Sequence, residues 1–151
     1  MKAERADIIG LVATTLMCST PIAFLTFEFM WPNVSFPSFG KNLLVILLLS
    51  IVTGMPAGIL NRRANVAIIS VFLYTVLGYL LAFLFHMFPV VAYDVTLSIP
   101  GLYYAAFLRF TIVLLFLYIF GGIIGAVLGQ YIRDSVGREE TKVLWDKKPS
   151  S

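Results

Sequence analysis

Apolar residues form four long runs along this chain, and each run is long enough to cross a membrane as a helix. The runs cover residues 8–30, 42–60, 64–88 and 102–132. A helix of about 20 apolar residues spans the roughly 30 Å hydrocarbon layer of a bilayer. Only residues 61–63 separate the second run from the third, so these two helices are predicted to be antiparallel neighbours. The pattern predicts an all-α integral membrane protein, a four-transmembrane-helix bundle.

Composition supports this class and excludes a soluble domain. Hydrophobic residues make up 60% of the 151 residues and charged residues only 13%, with a mean hydropathy of +0.93. A soluble domain of this size and composition would expose a large apolar surface to water. We therefore expect the lipid bilayer to be the main surrounding of the chain.

The basic residues are distributed unevenly between the predicted loops and tails. If the four spans alternate, all but two of the cationic side chains fall on one side, the exceptions being Lys41 and the helical Arg109. This positive-inside bias predicts that both termini are cytoplasmic, with Arg62, Arg63 and Arg133 as topology anchors and residues 133–151 as a short charged cytoplasmic tail. The formal charge of +3 is then a matter of topology, and we expect no nucleic-acid partner. We expect the plasma membrane rather than an organelle membrane.

Small residues recur at four-residue spacing in the second and fourth spans. The two ladders consist of Ser50, Gly54 and Gly58, and of Gly121, Gly125 and Gly129. Residues four apart share one helical face, so each ladder resembles a glycine zipper of the GxxxG type, a groove for close helix packing. We expect span one or span three to fill one groove, which leaves the other for another membrane subunit or a second copy of the chain.

The two ladders also suggest an internal repeat. When Leu43 is aligned with Leu114, Gly54 and Gly58 fall on the two later glycines of the second ladder, and Arg62 falls on Arg133. Duplication of a helical hairpin, with both copies in the same orientation, would explain this match. Independent selection for close packing in two helices is the explanation that we favour.

Four polar residues form a candidate cluster at the predicted outer surface: Glu28, His86, Asp94 and Arg109. Counting the helical rise of about 1.5 Å per residue places the first two roughly 30 Å from the inner ends of their helices. In one interpretation Glu28 pairs with Arg109 while His86 and Asp94 face water. In a second, His86, Asp94 and Glu28 are weak candidate ligands for a metal ion. In a third, the residues meet another subunit. We expect no cofactor, because the chain has a single histidine and no nucleotide-binding loop.

These features favour a non-catalytic membrane subunit or assembly partner of a larger membrane complex. No ionisable residue is predicted near the membrane middle, where a coupled transporter would use one. The alternative is a small transporter or channel that works as a homo-oligomer. A third hypothesis is a subunit that contributes to an outer-face metal site of a membrane enzyme, without being an enzyme itself.

Overall fold

The chain forms four α-helices. A computed structural model describes the backbone of residues 2–30, 42–92 and 100–146, and side chains over most of these ranges. The helices are α1 (Lys2–Met30), α2 (Leu43–Leu60), α3 (Ala64–Ala92) and α4 (Pro100–Asp146). Each contains a segment that is long and apolar enough to cross a membrane. The prediction of four apolar membrane-length helices is confirmed, and α3 continues past its predicted end at residue 88. Lys41 and Asp94 lie outside the described residues.

Helix α4 is longer than the predicted span. It contains 47 residues without a break, a length of about 70 Å at the usual helical rise. The tail from residue 133 onward therefore begins as a continuation of this helix and stays helical up to Asp146. No proline occurs between Pro100 and Pro149, so after the first residue nothing in the helix removes a backbone N–H.

The turn between α2 and α3 is built around Asn61. This residue ends α2 in an extended conformation, and its backbone N–H donates to the carbonyl oxygen of Ala57 at 3.3 Å. Its side-chain Nδ2 donates to the same oxygen at 2.9 Å. Asparagine suits this position because its amide can satisfy a carbonyl that the ended helix leaves without a partner. The side chain is buried, so the turn is part of the packed structure.

The helices pack chiefly as two parallel pairs, α1 with α3 and α2 with α4. Between α1 and α3, the hydroxyls of Thr14 and Ser70 share a hydrogen bond, and Ile22 lies against Gly78 eight residues further along each helix. Contacts that advance together along both helices require the helices to point the same way. The two hairpins therefore lie side by side in the same orientation.

The core lies between these pairs. Its largest fully buried side chains include Tyr74 and Tyr118, which join Ile22, Ile46 and Leu114 in the main hydrophobic cluster. Many large apolar side chains point outward on all four helices. Such a surface would be unfavourable in water but is the ordinary exterior of a helical membrane protein.

Candidate functional site

The two small-residue ladders lie against each other along the α2/α4 contact. A β-carbon built on Gly54 would lie 2.4 Å from the carbonyl oxygen of Gly122, and one built on Gly125 would lie 2.0 Å from that of Ile51. Ordinary contact of a β-carbon with its neighbours begins near 3.4 Å. The backbones of α2 and α4 therefore approach so closely that only glycine fits at these points.

The prediction of which helix fills each groove was wrong. We expected α1 or α3 to fill one groove and the other to stay free for a partner. In the structure each ladder fills the other, and Gly121 faces the side chain of Ser50. The physical reason is that α2 and α4 are parallel and each presents a flat strip of backbone, so the two strips offer each other more contact than a helix with bulky side chains would.

The contacts between the two ladders are reciprocal. Gly58 faces the carbonyl of Ala126, three residues before Gly129, while Gly129 faces the carbonyl of Met55, three residues before Gly58. Exchanging the two helices at an offset of 71 (129 − 58) reproduces the contacts. Between α1 and α3, the Thr14–Ser70 hydrogen bond and the contact of Ile22 with Gly78 share an offset of 56 (70 − 14). The α2/α4 contact therefore has the local geometry of a two-fold relation.

Arg133 lies at the end of the α2/α4 contact that is next to the turn between α2 and α3. Its Nη1 donates to the carbonyl oxygen of Asn61 at 2.6 Å, and the guanidinium also contacts Asp134 at 3.0 Å. A cation here meets the negative end of the α2 dipole and a carbonyl that α2 itself leaves open. Arg63, by contrast, pairs with Asp7 at 3.4 Å, and Arg62 is exposed. The three predicted topology anchors thus share one end of the bundle with the start of α1.

A small polar cluster lies inside this same end. Asn61 is 1% exposed, and its Nδ2 lies 3.4 Å from the Thr14 hydroxyl, which in turn bonds that of Ser70. The amide oxygen of Asn61 lies against Gly10, where an added β-carbon would be only 2.8 Å away. Glycine at position 10 thus lets α1 approach the buried turn.

A second and larger polar group lies in the other half of the bundle, and we call it the polar layer. Two hydrogen bonds link its helices: Thr26 of α1 to Tyr118 of α4 at 3.1 Å, and Tyr79 of α3 to Thr111 of α4. The ionisable members are Glu28 of α1 and His86 of α3. The polar layer is defined by Thr26, Glu28, Tyr79, His86, Thr111 and Tyr118.

Glu28 and His86 are both enclosed by protein. Glu28 is 1% exposed and His86 5% exposed. The α1/α3 offset of 56 places Glu28 level with residue 84, two positions from His86. The ring of Phe107 lies 5.2 Å from the imidazole, between centroids, and covers it from the α4 side. The structure therefore holds a carboxyl and an imidazole at nearly the same height inside the packed bundle.

The structure buries two of the four residues of the predicted outer cluster, Glu28 and His86. His86 is buried, so the interpretation in which it faces water is wrong, and Arg109 is exposed. Asp94 lies outside the described residues. Within the described part of the chain, no three His, Cys, Asp or Glu side chains come together as a metal site. The burial arises because the register of α1 against α3 turns both residues toward the core, which counting along single helices does not reveal.

The contribution of α4 to the polar layer was missed at the level of sequence. Thr111 and Tyr118 are the only hydroxyl residues of α4 between positions 105 and 130. They lie seven residues apart and therefore share one helical face. That spacing was the available signal of a polar strip facing the core.

Four membrane-length apolar helices around a buried polar layer define a multi-pass α-helical membrane protein. No protein-family model, curated protein or solved structure matches this chain.

Proposed function

We propose that the chain is a small ion-translocating membrane protein, a transporter or channel that works as a homo-oligomer. The observation that supports this is the enclosure of Glu28 and His86 in a bundle with an apolar exterior. A charged side chain at the centre of a membrane helix costs about 2.5 to 3.5 kcal/mol on insertion scales, and one nearer the surface, such as Glu28, costs less. A purely structural scaffold has no need of such a residue, whereas ion binding does.

Glu28 lies in the outer part of the bundle, away from the turn. Thr26 bonds Tyr118, which lies 15 residues before Arg133 on α4. At the helical rise this is about 22 Å from the arginine level, which gives Glu28 a depth of about 25 Å, whereas the level of residue 84 on α3 lies about 30 Å from the start of that helix. Both counts place Glu28 in the outermost part of a hydrocarbon layer of roughly 30 Å. Its position near the outer surface stays a prediction.

The polar layer differs between the two hairpins, although their packing contacts are related. We propose that α1–α2 and α3–α4 are parallel repeats of one hairpin, supported by the reciprocal glycine contacts. Under the offset of 56, the counterpart of Glu28 is Leu84 and that of His86 is Met30. The residues that pack the helices thus correspond between the two hairpins, whereas Glu28 and His86 have apolar counterparts.

The orientation in the membrane is also a proposal. Arg62, Arg63 and Arg133 lie at the end of the bundle where α1 begins. By the positive-inside rule this end is cytoplasmic, as are both termini, in the plasma membrane.

Ion flux into liposomes tests the proposed function. The purified chain should conduct protons or monovalent cations above the rate of protein-free vesicles, and Glu28→Gln should abolish that flux. Asp7→Asn is the matched control, because it makes the same carboxyl-to-amide change at the turn end, away from the polar layer. Wild-type vesicles with no flux of any ion, or equal flux through both variants, would overturn the proposal.

A non-catalytic subunit or assembly partner is the second candidate. An outward apolar groove of about 470 Å³ between α1 and α3 favours it, lined by aromatic side chains that include Phe24, Phe27, Phe85 and Phe88. Aromatic residues are enriched where proteins meet. Purification from native membranes in mild detergent should then recover unrelated polypeptides in fixed ratio. Recovery of self-oligomers alone, active in liposomes, would exclude the subunit function.

A further inference from the structure

We propose that the translocated ion is the proton, that Glu28 carries it, and that buried hydroxyls connect Glu28 to the turn end of the bundle. This inference rests on the proposed ion-translocating function and names its substrate. It follows from two independent features, the chemistry of the polar layer and a series of buried oxygens below it.

The polar layer suits a proton better than a metal ion. It contains a single carboxyl group, and the described part of the chain brings no three His, Cys, Asp or Glu side chains together as a metal site. A dehydrated metal cation needs a shell of several oxygen ligands. A proton needs one basic oxygen and almost no volume, which an enclosed carboxylate supplies.

The polar layer holds three titratable groups besides Glu28. Helix α3 contributes the imidazole of His86 and the phenol of Tyr79, and α4 contributes the phenol of Tyr118, with Arg109 exposed nearer the α4 N-terminus. The α2 residues at this end, 43–47, carry no titratable side chain. Binding of one proton to the carboxylate removes one negative charge from the layer, and release restores it.

Three buried oxygens lie between the polar layer and the turn. The amide oxygen of Asn61 and the hydroxyls of Tyr74 and Thr75 have no hydrogen-bond partner within the described part of the chain. All three side chains are at most 1% exposed. Buried polar groups in proteins are normally hydrogen-bonded, and internal water is one partner that can satisfy those without a protein partner.

These oxygens extend a series that begins at the turn. Asn61 contacts Thr14, and Thr14 bonds Ser70. Tyr74 follows Ser70 by four residues on α3, about 6 Å along the helix, and Tyr79 of the polar layer follows Thr75 by the same interval. The proposed route requires internal waters between these oxygens. A proton that enters at Asn61 can pass along this series, form an O–H bond with the Glu28 carboxylate, and leave to water on the opposite side.

Proton flux through reconstituted wild-type chain is the first test. Vesicles that contain a pH-sensitive dye should acidify when a membrane potential, negative inside, is imposed, and Glu28→Gln should lose this response. Tyr74→Phe, which removes one buried hydroxyl and keeps the ring, should lower the rate several-fold. Tyr131→Phe makes the same change on an exposed side chain and should leave the rate unchanged.

Chemical labelling tests Glu28 in the unmodified chain, independently of any variant's folding. A hydrophobic carbodiimide reacts with protonated carboxyl groups inside membranes. Peptide mass analysis should find the adduct on Glu28 and not on Asp7. Absence of the adduct, or full proton flux in Glu28→Gln, would overturn the assignment of Glu28.

Flux measurements with different ions in the same vesicles identify the translocated ion. Flux of sodium or potassium without proton flux would overturn the proton inference and leave the proposed function standing. Absence of flux for every ion would overturn both. Equal rates in Tyr74→Phe and wild type would remove the hydroxyl route.

Discussion

Adding one methyl group at Gly125 should loosen the bundle. In Gly125→Ala the new β-carbon would lie 2.0 Å from the Ile51 carbonyl oxygen, and normal contact needs about 3.4 Å. The two helices must therefore separate by about 1.4 Å at this level. The obstacle is backbone rather than a flexible side chain, so a rotamer change cannot relieve it.

The expected cost follows from that displacement. Overpacking of this kind costs about 1 to 3 kcal/mol, and a gap of 0.5 to 1 Å already removes about a quarter to a half of the dispersion energy of the contacts beside it. Alanine regains about 1 kcal/mol through its higher helix propensity. We expect the free energy of unfolding to fall by about 2 kcal/mol.

Gly137→Ala is the matched control in the same helix. A β-carbon at this position meets nothing within 4 Å, so only the helix propensity changes. We expect this variant to be as stable as the wild type or more stable, by up to about 1 kcal/mol. Unfolding of both variants by SDS, followed by circular dichroism in mixed micelles, measures the difference. If both unfold at the wild-type SDS fraction, the close backbone contact does not stabilise the chain.

Three further predictions concern the ends and register of the bundle. Arg133→Gln should lower stability by about 1.5 to 3 kcal/mol through loss of a charged hydrogen bond, whereas Arg62→Gln should have little effect; equal midpoints in the same SDS titration would contradict this. In a background without the native cysteine, Ser50→Cys with Gly121→Cys should give an intramolecular disulfide, seen as a gel shift that reductant reverses; exclusively intermolecular products would contradict the zipper. In the same background, Ser135→Cys should react with an impermeant maleimide in inverted vesicles and not in intact cells, and the reverse pattern would disprove the proposed orientation.

The helices and the ladder spacing could be predicted from the sequence because both depend on local composition. Long apolar runs set the four helices, and four-residue spacing places Gly54 and Gly58 on one face. The partner of that face could not be predicted in the same way. Periodicity shows which side of a helix is small, but only the register of α2 against α4 shows that Gly125 covers it.

Only part of the candidate site could be predicted from the sequence, for the same reason. Glu28 and His86 were identified as polar residues near one end of their helices, yet their burial depends on contacts between helices. The Thr14–Ser70 hydrogen bond fixes the height of α1 against α3, and Tyr118 fixes it against α4. These contacts join residues far apart in the chain, and a single sequence contains no direct record of them.

Helix α4 also has a mechanical consequence. It continues for 13 residues beyond Arg133, up to Asp146, a projection of about 20 Å from the bundle. The glycines of α4 contact the backbone of α2 directly, so no flexible side chains lie between the two helices at these points. A displacement of one helix is therefore transmitted to the other. A torque on the projecting arm would therefore pass to α2 and, through Arg133, to the turn at Asn61. A movement of the projecting part of α4 is thus expected to move α2, and with it the hairpin formed by α1 and α2.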